Sequence, residues 1–298
     1  MRDLSGLWFN LILISGMWGS SFLLIKLMDN SVSPFSFAAA RGFIAMAALL
    51  VWLIVRKAPM YHKGWRFRAV WGDLQHMVVL GTTNGWLANV MTVTALRYLD
   101  SAIVAITLAT VPLLVIVLAH FASAEEGFHI RRLAGVLTGF IGVFFVVGPL
   151  AVLGSQGSMI GVTAMLVTAF SYACGTLYGR RLAATDAVFI ACGQQAVGAV
   201  VAGVICWLNE PPELVAQPIR TWLLLAIIGV LCSALPTALY LRLLPRTTAV
   251  AAASIAFLQP LWAMLLGWAV LAEQIDAGAL VGAVLIILGI LLTSRPVR

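Results

Sequence analysis

Most of this chain is apolar, so the few polar side chains inside its apolar stretches are where chemistry would reside. Of its 18 basic and 11 acidic residues, only Lys26, Arg41 and Arg242 fall within stretches greasy enough to enter a bilayer. A charge held in lipid is costly and usually serves a function. Arg242 lies two residues from the end of its stretch, and Lys26 is near the end of another, so both can reach water along their own stems. Arg41 sits deeper, seven residues in, or about 10 Å at the helical rise. It suits two roles, holding a substrate carboxylate or tying neighbouring helix carbonyls together. No Asp or Glu lies in the middle of a stretch; Asp73, Asp100, Glu125, Glu126, Glu273 and Asp276 are all at ends. A carrier driven through an intramembrane carboxylate is therefore not expected, and facilitated diffusion or exchange is.

Uncharged polar and aromatic side chains at the centres of the stretches are the further candidates. An amide facing lipid leaves donors unsatisfied, so each should face protein or a water-filled path. The candidate substrate contacts are Trp18, Ser21, Arg41, Asn84, Trp86, Asn89, Tyr172, Thr176, Gln195, Tyr240, Gln259 and Trp262, with Gln194 and Ser233 beside them. Aromatic walls suit a flat or apolar group. His76, three residues after Asp73, can pair with it on one helical face. There is no Ser/His/Asp arrangement, H-E-x-x-H or phosphate-binding glycine loop, so no catalytic residue is assigned and an enzyme is not expected. Cys174, Cys192, Cys206 and Cys232 form no C-x-x-C pair, and neither metal nor cofactor is assigned.

Ten elements must position these residues. The chain is 62% hydrophobic and 10% charged, against roughly a quarter charged in soluble domains. Stretches of about 20 apolar residues fall at 7–28, 35–55, 77–96, 101–121, 133–150, 159–179, 187–208, 222–244, 248–271 and 277–293. Alternating strands are absent, so the expected fold is an all-α membrane protein with ten transmembrane helices. The first stretch follows Arg2 without a small-x-small cleavage site and reads as a retained span. Fourteen of the 18 basic residues fall on one side of this weave, in Arg2, the 56–68 cluster, Arg131, Arg132, Arg180, Arg181, Arg242, Arg246 and the C-terminal tail. Both termini are thus expected in the cytoplasm, with the protein multi-pass in the cell (inner) membrane. The net charge of +7 is then a topology signal and not a nucleic-acid footprint.

The two halves repeat. Pro112 is followed thirteen residues later by Glu125, then by Gly135 and Gly142; Pro260 is followed thirteen later by Glu273, then by Gly282 and Gly289. Trp18 with Lys26 matches Tyr172 with Arg180 at an offset of 154, and Thr94-Ala95-Leu96 echoes Thr237-Ala238-Leu239. Five spans per half is an odd number, so the second half enters from the opposite side. Residues 1–150 and 151–298 are expected to form a 5+5 inverted-topology repeat, an architecture of secondary transporters with substrate held near the midplane. Gly135-x-x-x-Gly139 and Gly278-x-x-x-Gly282 mark the last helix of each half as packing scaffold.

Trp18-Gly19-Ser20-Ser21-Phe22 with Lys26, Ala40-Arg41-Gly42-Phe43, and the doubled Pro-to-Glu unit before a Gly-rich helix resemble the EamA type of the drug/metabolite transporter superfamily. The resemblance covers essentially the whole chain. It implies a transporter of small organic metabolites working by alternating access, with amino-acid and aromatic-metabolite exporters among its members. The expected partners are an amphipathic small molecule such as an amino acid and the lipid bilayer, with no nucleic acid and a monomeric state. The rival reading is a non-transporting sensor or assembly partner on the same fold.

Overall fold

The computed structural model describes residues 4–28, 32–56, 67–99, 101–122, 130–147, 159–182, 186–209, 216–271 and 277–294. Among them every regular element is helical and none is a strand. The α-helices are α1 (Leu4–Lys26), α2 (Pro34–Val55), α3 (Phe67–Leu80), α4 (Leu87–Leu96), α5 (Ser101–Leu108), α6 (Val111–Ala122), α7 (Ile130–Val147), α8 (Met159–Gly179), α9 (Ala187–Asn209), α10 (Ile219–Gly229), α11 (Leu235–Leu243), α12 (Ala249–Ala253), α13 (Ile255–Leu271) and α14 (Ala277–Ser294). Among the described residues, seven rods are long and apolar enough to cross a membrane: Trp8–Ile25, Pro34–Val55, Val104–Phe121, Met159–Leu182, Ala187–Asn209, Ile219–Arg246 and Ala249–Val270. The protein is therefore a multi-pass membrane protein. The rest of the bundle is α3 with α4, α7, and α14, whose apolar part Ala277–Thr293 is shorter. Glu125, Glu126, Glu273, Asp100, Asp276 and the basic residues of 57–66 and 295–298 lie outside the described residues, as does the side chain of Lys26.

Local sequence explains where the rods begin and bend. Ser33 caps α2 by accepting from Ser36 N–H at 3.1 Å, ahead of Pro34 at the first helical position. Asp186 Oδ1 caps α9, accepting from Val188 N–H at 2.8 Å and Phe189 N–H at 3.2 Å. A π-helical segment, Gly81–Trp86, joins α3 to α4, and Gly85 within it departs from helical geometry at φ −98°, ψ −113°. The Asn89 side chain donates to the Gly85 carbonyl at 2.8 Å, satisfying an acceptor at the kink. A second π segment, Val230–Ala234, joins α10 to α11. Two further rods are interrupted, α5/α6 at Ala109–Thr110 and α12/α13 at Ser254, close to Pro112 and Pro260.

Glycines set the closest packing. A Cβ on Gly142 would stand 2.7 Å from the Gly282 carbonyl oxygen, and one on Gly282 would stand 2.5 Å from that of Gly142. Gly135 and Gly289 meet in the same reciprocal way, at 2.8 and 2.6 Å. The matching seven-residue spacings therefore lie against each other, with α7 and α14 antiparallel and their backbones touching. Gly42 of α2 packs on Ala199 of α9, where an added Cβ would come within 2.9 Å of the alanine Cβ.

Candidate substrate cavity

A cavity of about 100 Å³ opens among α1, α2, α4, α8, α9 and α11 and the two interrupted rods. By the share a buried water needs, it has room for a molecule of roughly seven to ten non-hydrogen atoms. Its wall contains Trp18, Ser21, Arg41, Asn84, Asn89, Tyr172, Thr176, Gln195, Tyr240 and Gln259, so ten of the twelve predicted residues converge there.

Among the described residues, Arg41 is the one charged side chain of that wall. Its Nε donates to Ser233 Oγ at 2.5 Å and one terminal nitrogen donates to the Cys232 carbonyl at 2.9 Å. Ser233 in turn donates to the Ile228 carbonyl at 2.9 Å. The guanidinium carbon lies 5.8 Å from the centroid of the Phe37 ring. Two partners from the second π segment thus fix the cation in place. A guanidinium has five N–H groups, so donors remain for a ligand in the cavity. Carboxylate binding and helix bracing, the two roles considered for Arg41, are compatible in this geometry.

The neutral wall is built from short contacts between helices. Trp18 and Tyr240 meet edge to face, with centroids 5.1 Å apart and planes at 64°. The Tyr240 hydroxyl is 2.8 Å from Thr176 Oγ1, and Gln195 Nε2 donates to Thr237 Oγ1 at 3.3 Å. Ser21 satisfies its hydroxyl within α1, donating to the Trp18 carbonyl at 2.6 Å. Two amides are less well provided for. Asn84 Oδ1 and Gln194 Oε1 are buried and accept no hydrogen bond, although both residues line the cavity. Asn84 lies over Gly175, where any Cβ would collide with its amide.

Two predicted residues lie elsewhere. Trp262 donates from Nε1 to Ser15 Oγ at 3.1 Å, and its ring covers the notch left by Gly16 and Gly19. It braces α13 on α1, and its one polar atom is already satisfied. Trp86, at the end of the first π segment, packs against the cluster of Ala38, Ala39, Val90 and Ala202. His76 bonds the Tyr178 hydroxyl through Nδ1 at 2.8 Å, so α8 supplies its partner in place of Asp73. Arg242 rests over the Trp52 ring at 5.4 Å.

Sequence reasoning missed Phe22, Ile25, Thr92, Thr237 and Leu241, and the small residues Ala252, Ala253 and Ala256. Helical spacing was the available signal. Trp18, Ser21, Phe22 and Ile25 form one stripe of α1, Asn89 and Thr92 one of α4, and Thr237, Tyr240 and Leu241 one of α11. The alanines come from the interruption at Ser254.

The model of the EamA-like transporter family matches residues 6–148 and again 159–295. The Uncharacterized transporter YoaV of Bacillus subtilis is 23% identical over 291 residues, covering 95% of each chain. The Uncharacterized inner membrane transporter YedA of Escherichia coli is 26% identical over 262 residues, covering 84% of this chain and 78% of that one. A solved crystal structure superposes with a TM-score of 0.76 at 18% identity, covering 96% of this chain and 94% of that chain, and so shares the fold.

Proposed function

The chain belongs to the EamA-like transporter family, and from that premise we propose a secondary transporter, an exporter of amino acids and similar amphipathic metabolites. It is a membrane transporter and not an enzyme. The observation that carries the substrate reading is Arg41, the one charged side chain among the described residues of an otherwise neutral, aromatic-walled cavity, held in place by the π segment beside it. A substrate carboxylate meets Arg41 while its apolar part lies against Trp18, Tyr172 and Tyr240. The small cavity volume favours compounds of amino-acid size.

The proposed architecture is ten spans in two inverted five-helix repeats, residues 1–150 and 151–298, with alternating access through the cavity between them. The reciprocal glycine contacts of α7 and α14 support it, as do the paired π segments, the paired interruptions and the two successive family matches. The distribution of Lys and Arg supports cytoplasmic termini. Exchange or facilitated diffusion is the proposed mode of transport, supported by a wall whose described residues include no carboxylate or histidine.

The test is flux of radiolabelled amino acids in proteoliposomes with and without a pH gradient. Saturable, gradient-independent exchange of at least one amino acid is expected. Strong uphill accumulation driven by the pH gradient alone would overturn the coupling assignment, and no solute-dependent flux at all would favour a sensor.

A further inference from the structure

Arg41 has a counterpart, and the counterpart carries a hydrogen-bond acceptor, which a guanidinium lacks. Arg41 lies eight residues past Ser33, the cap of α2; Gln194 lies eight residues past Asp186, the cap of α9. Ser233, which accepts from Arg41, is the fourth residue of its π segment; Asn84 is the fourth residue of the other. Registered on the helix caps and the π segments, and not on the Thr94-Ala95-Leu96 echo, the proposed two-fold therefore carries the pair Arg41 and Ser233 onto the pair Gln194 and Asn84. Gln194 packs beside its π segment as the two-fold requires, its backbone carbonyl oxygen 2.9 Å from the place a Cβ on Gly81 would occupy.

The two ends differ in what they leave unsatisfied. At the first, a cation spends two donors on Ser233 and Cys232 and keeps others. At the second, Gln194 is 2% exposed and both amides carry an acceptor oxygen with no partner. A buried acceptor without a donor is costly, so a group that supplies one is bound favourably. Both residues line the cavity, and because the terminal torsion of an amide is soft, a donor bound there can draw either oxygen toward itself. The same wall carries the aromatic rings of Trp18, Tyr172 and Tyr240, and aromatic rings favour a cationic donor over a neutral one.

We propose that Gln194 and Asn84 form an acceptor pole that takes the ammonium group of the substrate, opposite the Arg41 anion pole. The carrier then selects zwitterions over molecules carrying either charge alone. This rests on the reading of Arg41 as carboxylate anchor, and the two are separable by experiment.

Dissociation constants are measured on the purified full-length protein in detergent. The probes are L-threonine, L-leucine and L-phenylalanine, each beside its deaminated acid and its decarboxylated amine. For the tightest amino acid, loss of the amino group should weaken binding about tenfold to a hundredfold, the worth of a charged hydrogen bond. Gln194→Met should bring that amino acid down to the level of its deaminated acid and leave the acid itself unchanged. Equal binding of parent and deaminated acid by the wild type, or equal weakening of both by Gln194→Met, overturns the acceptor pole while leaving the anion pole intact. If no carboxylate binds, the Arg41 reading falls and this one with it. Should Gln194→Met not fold, Gln194→Glu keeps the shape and adds a charge. It should tighten the decarboxylated amine at least tenfold, and an unchanged amine affinity overturns the proposal.

Discussion

Replacing Arg41 with Met separates a substrate anchor from a structural brace, because the two roles predict opposite balances of stability and transport. The substitution removes the hydrogen bonds to Ser233 Oγ and the Cys232 carbonyl. Bonds from a charged donor contribute about 1.5–3 kcal/mol each, so roughly 3–6 kcal/mol is lost. Against this, an arginine deep in a membrane helix costs about 2.5–3.5 kcal/mol to insert, which Met does not. The terms nearly cancel, because Ser233 keeps its own bond to the Ile228 carbonyl and only the Cys232 carbonyl loses a donor. A net loss of about 0–3 kcal/mol corresponds to a fall in Tm of a few degrees in a chain of this size. A carboxylate, by contrast, loses one or two charged bonds, so its KM should rise about tenfold to a hundredfold. Thermal unfolding in detergent and concentration-dependent flux in proteoliposomes measure both quantities on the same preparation. Arg41→Lys should fall between, since it keeps the charge without the fork. Flux of carboxylate substrates unchanged in Arg41→Met, or lost only in proportion to folded protein, would refute the anchor.

Gly282→Ala sets a Cβ 2.5 Å from the Gly142 carbonyl oxygen and 2.7 Å from Val146 N, both backbone atoms that cannot swing away. It should destabilise by about 3 kcal/mol or more, read as a Tm loss at least equal to the largest expected for Arg41→Met. Trp18→Ala removes the edge contact with Tyr240, about 1 kcal/mol beyond the area it covers, and should impair transport while membrane expression persists; unchanged flux across a panel of amino acids would defeat the assignment. At the α9 cap, burial pushes the Asp186 carboxyl up, but donors from Phe189, Arg56 and Val188 outweigh it and hold the group below the usual carboxylate range. The stability it contributes is present above about pH 4 and disappears as pH falls through the lowered folded value, so the Tm gap between wild type and Asp186→Ala should close on acidification.

What was legible in the sequence follows from how strongly each feature is constrained. Backbones that touch admit only glycine, so the seven-residue spacings of Gly135 with Gly142 and Gly282 with Gly289 were readable without knowing the partner helix. Midspan polar residues were readable because lipid rejects them, and ten of the twelve candidates share one cavity. Direction was not readable where a side chain has two acceptable surroundings. Trp262 suits a cavity or a glycine notch equally, and the notch of Gly16 and Gly19 decided it. Trp86 went to an alanine-rich surface for the same reason. The π segments were hidden because only Gly81 and Gly85 mark the first, and none of Val230–Ala234 marks the second. Phe22 and Ile25 escaped because an apolar residue in an apolar helix carries no sign of facing a cavity.

The stretch Trp18-Gly19-Ser20-Ser21 joins these threads. Gly19 admits α13, since a Cβ there would stand 3.0 Å from the Gln259 carbonyl oxygen, and so it draws α1 against the rod that carries Gln259 into the wall. Trp18, one residue earlier and turned by a helical step, then reaches Tyr240 of α11. Under the proposed two-fold its mate is Tyr172, which lines the same cavity as Arg41. A cavity lined by identical mates would hold a ligand equally well in two opposite orientations. Here the mates differ, tryptophan against tyrosine and arginine against glutamine, so a dipolar molecule has one preferred orientation. On the proposed repeat, duplication accounts for the frame of this site, and divergence between the copies accounts for its polarity.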